Sequence, residues 1–209
     1  MITRRIFSAA AAGLILTAWL RPEAGAAESP EEAQKLVKQL SDDAIRLLTG
    51  KDLDAAARNL RFRELLTKGF DVPAMARFVL GRYWRDASEP ERQEYLKLFE
   101  DLIVTTYAQR FADYQGESFK VTGAQPEDDK VVLVQSHILR QGQTQAIRVD
   151  WRVLRTDNGF KIVDVVVEGV SLSVTQRSEF ASVIQRNGGK ISGLLDALRS
   201  KTKELQSAG

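Results

Sequence analysis

The residues that most often carry out chemistry in proteins are scarce in this sequence. Its 209 residues include no cysteine and a single histidine, His137. Without cysteine the chain forms no disulfide, iron–sulfur cluster or thiolate zinc site, and one histidine cannot supply a histidine-rich metal site. His137 falls on a polar position of a predicted strand, where a structural role is the usual one. Most metal-dependent and nucleophilic mechanisms are therefore excluded.

Acidic side chains offer the best remaining candidates for acid–base chemistry. Asp164 and Glu168 are four residues apart, so they share one face of a predicted strand. A carboxylate inside a curved sheet, from Asp164 or from Asp150, would suit an isomerase. The alternative is an outward polar face, opposite the valines of the same strand, and the alternation favours this second interpretation.

Two other motifs resemble functional sites only in part. The segment Gly169-Val170-Ser171-Leu172-Ser173 lacks the final glycine and the parallel sheet of a nucleophile elbow. The acidic run Glu127-Asp128-Asp129 lies in a predicted turn and lacks the ligand spacing of a calcium loop. We expect neither catalysis nor a metal at these positions, and we expect no cofactor.

Positive and negative charges are nearly balanced. Lys and Arg together number 30 and Asp and Glu 28, which gives a formal charge of +2. The excess lies within residues 1–27, so the remainder of the chain has a net charge of zero. A nucleic-acid-binding protein usually has a basic footprint, and therefore no nucleic-acid partner is expected.

The amino-terminal residues 1–27 have the order of a secretory signal peptide. A short basic start is followed by an apolar stretch and by the small residues Ala24-Gly25-Ala26-Ala27. We predict cleavage after Ala26 or Ala27, which leaves one domain over residues 28–209; the alternative is an uncleaved anchor. The pair Arg4-Arg5 also fits a twin-arginine signal, so both export routes stay open. Either route would deliver the protein to the periplasm of a bacterium.

The rest of the chain changes from helical to strand periodicity at Gly116. Four helices are predicted before it, with starts near Ser29, Asp54, Asp71 and Ser88. The last of them is predicted to be the longest and to reach about Tyr114, because its apolar stripe continues that far. After Gly116, alternating apolar residues predict four strands joined by hairpins, and two more helices follow.

This order predicts an α+β fold in which a helical subdomain packs on a curved antiparallel meander sheet. Alternation places the apolar residues of the third and fourth strands on one face: Ile147, Val149, Trp151, Val153, Val163, Val165 and Val167. The opposite face of the third strand carries Arg148, Asp150 and Arg152. Periodicity does not distinguish a filled core from a cavity that is open to an apolar ligand.

Three stretches of the sequence carry a resemblance to a known family. The first is the segment FDVPAMARFVLGRYWR, from Phe70 to Arg85, and the second is Thr106-Tyr107-Ala108. The third runs from Val165 to Leu172 and is followed by Arg177-Ser178-Glu179-Phe180. In order and spacing, over about Glu31 to Leu198, these stretches resemble the MlaC family, the periplasmic toluene-tolerance proteins. One departure is Gln176, where many relatives have a tyrosine.

The resemblance implies an NTF2-like sheet and a soluble periplasmic carrier without enzymatic activity. Such a carrier binds the acyl chains of a phospholipid in an apolar cavity and shuttles the lipid between inner and outer membranes, which maintains outer-membrane lipid asymmetry. The implied partners are an inner-membrane ABC transporter with an MCE-domain protein and an outer-membrane lipoprotein–porin complex. A hopanoid carrier of the same family, a non-enzymatic adaptor of a membrane complex with a filled core, and an NTF2-like isomerase are the alternatives.

For such a carrier, the large apolar residues on the facing sides of the sheet and helices are predicted to line the cavity. They are Phe78, Val79, Tyr107, Phe111, Val149, Trp151, Val165 and Val167. A phosphodiester bonds best to cationic donors, so the headgroup is predicted to lie near cations that flank the apolar runs. These cations are Arg82, Arg85 and Lys161, for which ordinary solvated charges are the alternative.

Overall fold

The computed structural model describes residues 28–208, and the predicted signal peptide lies outside them. Five α-helices come first: α1 (Glu28–Leu48), α2 (Ala55–Gly69), α3 (Val72–Leu80), α4 (Tyr83–Asp86) and α5 (Glu89–Tyr107). A 3-10 turn at Ala108–Phe111 leads to the strands β1 (Ser118–Pro126), β2 (Val131–Leu139), β3 (Ile147–Thr156), β4 (Gly159–Val167) and β5 (Val170–Ser171). The helices α6 (Leu172–Arg186) and α7 (Ile191–Ala208) follow. The predicted α+β order of helices, sheet and helices is confirmed.

Side-chain caps explain where several helices begin. An Asp54 carboxylate oxygen accepts a hydrogen bond from the Ala57 backbone N–H (2.7 Å), and Asp71 caps α3 in the same way. Ser88 and Glu91 form a reciprocal capping box at the start of α5. These caps satisfy N–H groups that have no partner within the helix, which is why the sequence signals located the starts well.

The longest predicted helix is shorter in the structure than its apolar stripe indicated. α5 ends at Tyr107 rather than near Tyr114, and the chain tightens there into the 3-10 turn. The run Ile103-Val104-Thr105-Thr106 before this point is β-branched and therefore a poor helix former. The apolar stripe continues past the end of α5 because Phe111 and Tyr114 still face the interior. Periodicity alone therefore does not indicate where the helix ends.

The sheet is an antiparallel meander in the order β1-β2-β3-β4-β5. The sequence predicted four strands, and the fifth is a two-residue edge strand. It is formed by a tight turn in which Glu168 and Gly169 both have positive φ (50° and 81°), a geometry that suits a two-residue hairpin. The Glu168 carboxylate accepts a hydrogen bond from the Arg148 backbone N–H (2.5 Å), which fixes the turn to β3.

A β-bulge in β4 changes which valines face inward. Arg152 pairs with Asp164, but the next residue of β3, Val153, pairs with Ile162, so Val163 is the extra residue. The prediction that Val163 shares a face with Val165 is therefore wrong, and fully buried Ile162 takes the inner position. A bulge bends and twists its strand, which contributes to the curvature of the sheet.

Two apolar cores hold the domain together. In the helical core, the rings of Tyr95, Phe99 and Phe180 contact one another, and the Tyr95 hydroxyl donates to the Ala76 carbonyl oxygen (2.9 Å). In the second core, α1 packs on the inner face of the sheet near the β1–β2 turn, through Ala33, Val37, Val132, Val153 and Ile162. Among residues 28–208, no helix is both long and apolar enough to cross a membrane.

Candidate functional site

A cavity of about 730 Å³ lies between the inner face of the sheet and the helices. Six helices contribute to its wall, and most of the side chains that line it are apolar. Its aromatic residues are Phe62, Phe70, Phe99, Tyr107, Phe111, Tyr114, Phe119, Trp151 and Phe180. Pockets of this size and composition bind small apolar molecules or the apolar parts of larger ones.

α1 closes the cavity at one end of the sheet, and the cavity opens at the other end. At the sealed end, Val132, Val153 and Ile162 are buried against α1. The lining residues of the sheet lie from its middle toward the opposite end, where β1 begins and β2 ends: Ser118, Phe119, Ile138, Trp151 and Val165. Ser118 is itself exposed, so this end of the sheet, which we call the open end, meets solvent.

Trp151 forms part of the sheet wall, and its polar group is turned away from the cavity. Its indole N–H donates to the Ser136 hydroxyl (3.0 Å), which in turn donates to the Val149 carbonyl oxygen (2.6 Å). The ring is held edge-on against Phe70 and Phe119. Because its one donor already has a partner, the indole presents mainly carbon to the cavity.

Three cationic residues line the cavity: Arg110, Arg140 and Lys201. All three are exposed, and the Arg110 guanidinium stacks on Tyr107 at 5.1 Å. Pairing of Ser118 with Leu139 brings Arg140 to the open end of the sheet. Among the described residues, neither arginine has a carboxylate oxygen within 4 Å, whereas Lys201 pairs with Glu204 at 3.2 Å. We call these three residues the rim cations.

Five of the eight apolar residues predicted to contact a ligand line this cavity. They are Val79, Tyr107, Phe111, Trp151 and Val165. They come from α3, the end of α5, the 3-10 turn, β3 and β4, and the fold brings them around one cavity.

The other three predicted residues are not part of the cavity wall. Phe78 is 46% exposed on the outer side of α3, because neighbouring helix positions lie about 100° apart and Val79 takes the inner one. Val149 is buried beside Ser136 without reaching the cavity, and Val167 is half-buried at the last position of β4.

None of the three cations predicted to bind a headgroup lines the cavity. The Lys161 ammonium donates to the carbonyl oxygens of Thr67 (3.1 Å) and Lys68 (2.6 Å), so it caps the carboxyl end of α2. The Arg82 guanidinium donates to the Tyr83 hydroxyl (2.9 Å), which raises the pKa of Arg82. Arg85 is exposed on α4.

The carboxylates considered for acid–base chemistry lie on the outer face of the sheet. Asp164 is 6% exposed, and its oxygens accept from Arg152 (2.9 Å), the Ser171 hydroxyl (2.6 Å) and the Ser173 backbone N–H (3.1 Å). Asp150 pairs with Arg148 on the same face at 2.7 Å. Neither carboxylate lines the cavity, and the outward polar face is the arrangement found.

The remaining motifs have structural surroundings. Ser171 is the N-cap of α6: its hydroxyl accepts from the Val174 N–H and donates to Asp164, so it is not placed as a nucleophile. Glu127 binds Arg152 across the outer face, a hydrogen bond that raises the pKa of Arg152. His137 lies on that face, paired across the strands with Arg148. Residues 28–208 contain no cluster of three His, Asp or Glu side chains suited to a metal.

Comparison with known proteins gives consistent results. The sequence pattern of the MlaC protein family matches residues 38–200. The chain is 23% identical over 132 residues to the intermembrane phospholipid transport system binding protein MlaC of Haemophilus influenzae. It is 22% identical over 128 residues to toluene tolerance protein ttg2D of Pseudomonas putida. These alignments cover 62% and 61% of this chain, and each spans 59% of the relative's own length.

A solved structure has the same fold. The phospholipid-binding protein of Ralstonia solanacearum, determined in complex with a phospholipid, superimposes with a TM-score of 0.75 at 25% sequence identity. The match covers 83% of this chain and 98% of that protein. With a family match over residues 38–200, more than half of its length, the chain belongs to the MlaC family.

Proposed function

We propose that this protein is a carrier that binds a phospholipid through its acyl chains and moves it between two membranes. The observation that carries the proposal is the apolar cavity of about 730 Å³, open at one end, in a fold shared with a protein solved in complex with a phospholipid. Each methylene group moved from water into such a cavity gains about 0.8 kcal/mol. A carrier therefore needs a large apolar wall and no bond-making chemistry.

The acyl chains lie against Val79, Tyr107, Phe111, Trp151 and Val165 in this proposal. The headgroup stays at the open end, where the rim cations reach the cavity wall. Two of them, Arg110 and Arg140, have no carboxylate partner within the described residues, so their guanidinium donors are available to a phosphate. The rim cations replace Arg82, Arg85 and Lys161 as the candidates for headgroup contact.

The cellular setting of this proposal comes from the amino-terminal sequence and from the family. Residues 1–27 act as the export signal. The carrier works in the periplasm, as part of the system that maintains the lipid asymmetry of the outer membrane. It docks to an inner-membrane ABC transporter with an MCE-domain protein and to an outer-membrane lipoprotein–porin complex. The name of the Haemophilus relative, an intermembrane phospholipid transport protein, supports this assignment.

Two alternatives fit the structure less well. An adaptor without a ligand would have a filled interior, whereas this fold leaves a large apolar space. An isomerase would need a carboxylate within the cavity, whereas Asp150 and Asp164 lie on the outer face in ion pairs. The two acids that do line the cavity, Glu117 and Glu179, already accept hydrogen bonds from the Gln115 backbone N–H and the Gln176 side-chain amide. A hopanoid would occupy the same type of cavity as a phospholipid, so the identity of the bound molecule must be measured.

Native mass spectrometry of protein purified from cells tests the proposal directly. We expect a bound species with the mass of a diacyl phospholipid, released on denaturation and identified by fragmentation. A hopanoid in its place would change the ligand class, and ligand-free protein that takes up no phospholipid from vesicles would refute the carrier function.

The docking part of the proposal requires a separate measurement. Lipid transfer is followed between two vesicle populations, one of which carries the transporter complex while the other is bare. Extraction of a two-chain lipid through water is slow because both chains become exposed, so a docked, shielded path should accelerate transfer. Equal rates with and without the complex would contradict docking to it.

A further inference from the structure

A cluster of exposed apolar side chains lies where β5 turns into α6. Among the described residues, six large hydrophobic side chains are exposed, and four of them belong to this region. They are Phe78 (46% exposed), Val170 (56%), Leu172 (36%) and Val174 (51%). Val170, Leu172 and Val174 are near neighbours in sequence, and α3 brings Phe78 to them by packing against α6. We call these four residues the α6-tip patch.

The patch is held in place by the structure beneath it. Asp164, buried in β4, accepts hydrogen bonds from the Ser171 hydroxyl (2.6 Å) and the Ser173 backbone N–H (3.1 Å), which fixes the first turn of α6 to the sheet. The guanidinium of Arg177, one turn further along α6, lies 5.1 Å from the Phe78 ring centre. These contacts tie the base of the patch to the sheet and to α3.

The patch is continuous with the cavity. Leu172 is exposed on the surface and also lines the cavity, so one side chain belongs to both. It follows the end of β4 at Val167, which pairs with Val149 near the open end of the sheet. An acyl chain that leaves an apolar environment at the patch therefore reaches the cavity across apolar surface.

Arginines without an ion-pair partner lie on α3 and α6 and at α4, on the Phe78 side of the patch. The guanidinium groups of Arg77, Arg82 and Arg177 stack on Trp84, Tyr83 and Phe78, at 4.9, 4.9 and 5.1 Å. Among the side chains that the structure describes, those of residues 30–206, no carboxylate oxygen lies within 4 Å of these three guanidinium groups or of Arg85. The acids nearest in sequence are Asp86, Glu168 and Glu179; Glu168 binds the Arg148 N–H, and Glu179 binds Gln176.

We propose that the α6-tip patch docks on the surface of an anionic phospholipid bilayer. The four apolar side chains lie at the boundary between headgroups and acyl chains, and the arginines bind lipid phosphates. Exposed apolar residues next to cations and aromatic rings are typical of surfaces that lie in a membrane interface. The contact is short-ranged and reversible, since the region from residue 28 onward has no net charge to hold it on the membrane.

An anionic bilayer explains these observations better than an acidic protein partner. An acidic protein partner would account for the arginines that lack a carboxylate partner. It would not explain why Leu172 belongs both to the exposed patch and to the cavity wall. A bilayer accounts for both, because the acyl chain that enters the cavity comes from the same apolar layer that contacts the patch. The docking proposal rests on the proposed function in one respect, because it takes an acyl chain as the ligand of the cavity.

Vesicle flotation tests the proposal. The full-length mature chain is mixed with vesicles of phosphatidylcholine alone or of phosphatidylcholine with phosphatidylglycerol, and the floating fraction is measured. We expect partition onto the anionic vesicles and at least a tenfold lower partition coefficient for the double variant Phe78→Ser and Val174→Ser. The matched control is Leu60→Ser, which removes an equally exposed leucine from α2 and should leave binding unchanged. The variant Arg77→Gln with Arg85→Gln should abolish the preference for anionic vesicles.

Three outcomes would overturn the proposal. Wild-type protein that floats with neither vesicle, or a loss for Leu60→Ser as large as that for the double variant, would refute a lipid-binding patch. If flotation is absent but the double variant slows transfer from vesicles that carry the transporter complex, the patch is a protein-docking surface and the bilayer proposal is wrong. Neither Phe78 nor Val174 lines the cavity, so native mass spectrometry should find the same bound lipid in the double variant. Wild-type protein purified without bound lipid would instead contradict the carrier function, so the two proposals fail by different results.

Discussion

Replacement of Val165 by tryptophan is the most direct test of the cavity. Val165 lies on the inner face of β4, opposite Trp151, and lines the cavity. It is half-buried because one side of its side chain borders open space. An indole at this position would project into the region that we propose for the acyl chains.

The expected loss of affinity follows from the volume that the indole takes. It adds roughly seven non-hydrogen atoms, which displace a few methylene groups of a bound chain at about 0.8 kcal/mol each, for a total of about 3 kcal/mol. Since 1.4 kcal/mol corresponds to a factor of ten, the dissociation constant should rise about 100-fold. The free energy of unfolding should change much less, because a side chain that enters open space does not incur the usual cost of overpacking, about 1–3 kcal/mol.

Equilibrium binding of a phospholipid with a fluorescent acyl chain gives the measurement, and urea unfolding is followed in parallel. The matched control is Val163→Trp, the same substitution two residues away at the bulge, where the side chain does not line the cavity. The control should bind like the wild type. Undiminished binding by a folded Val165→Trp variant would show that the chains do not pass Val165, and the site would have to be moved.

Three further predictions concern the framework around the cavity. Asp164→Asn removes a buried charge from its outer-face ion pair and should lower the free energy of unfolding by about 2 kcal/mol in urea titrations, and an unchanged midpoint would contradict this role. Burial raises the pKa of Tyr95, so the folded state keeps the phenol protonated while the unfolded state ionises above its ordinary value of 10.0. Its stabilisation is therefore intact below that pH and declines above it, by about 1.4 kcal/mol per pH unit, a slope that Tyr95→Phe should reduce in unfolding titrations. Gly81→Ala should destabilise more than Gly142→Ala in thermal melts: both residues have positive φ, but Gly81 combines φ 61° with ψ −129°, outside the left-handed helical region, and a Cβ there would also displace the Arg177 guanidinium 3.1 Å away, whereas Gly142 has open space.

The sequence predicted the elements of the fold well because their signals are local. The caps at Asp54, Asp71 and Ser88 form with neighbours three residues away, so type and spacing suffice to locate them. The bulge at Val163 has no comparable local signal, since it depends on how β4 pairs with β3. Alternation was therefore right for Val165 and Val167 and wrong for Val163.

The rim cations show why part of the site could not be predicted. Arg110 follows α5 in the 3-10 turn, Arg140 ends β2, and Lys201 lies on α7, and only tertiary packing brings them to one cavity. In the sequence, no local pattern distinguishes any of the three from an ordinary solvent-exposed charge. Phe78 is absent from the cavity wall for the same reason: the packing of α3 against α6 turns Val79 inward and leaves Phe78 on the outer side.

The chemistry of the cavity wall determines the class of ligand that it can hold. The indole N–H of Trp151 is bound to Ser136, and the carboxylates of Asp150 and Asp164 are bound to arginines on the opposite face of the sheet. A polar molecule would lose its hydrogen bonds to water at this part of the wall and gain none in return, whereas a hydrocarbon chain has none to lose. We therefore expect the depth of the cavity to select by length and volume, and any preference among headgroups to arise at its charged lining residues, the rim cations together with the acids Glu117 and Glu179.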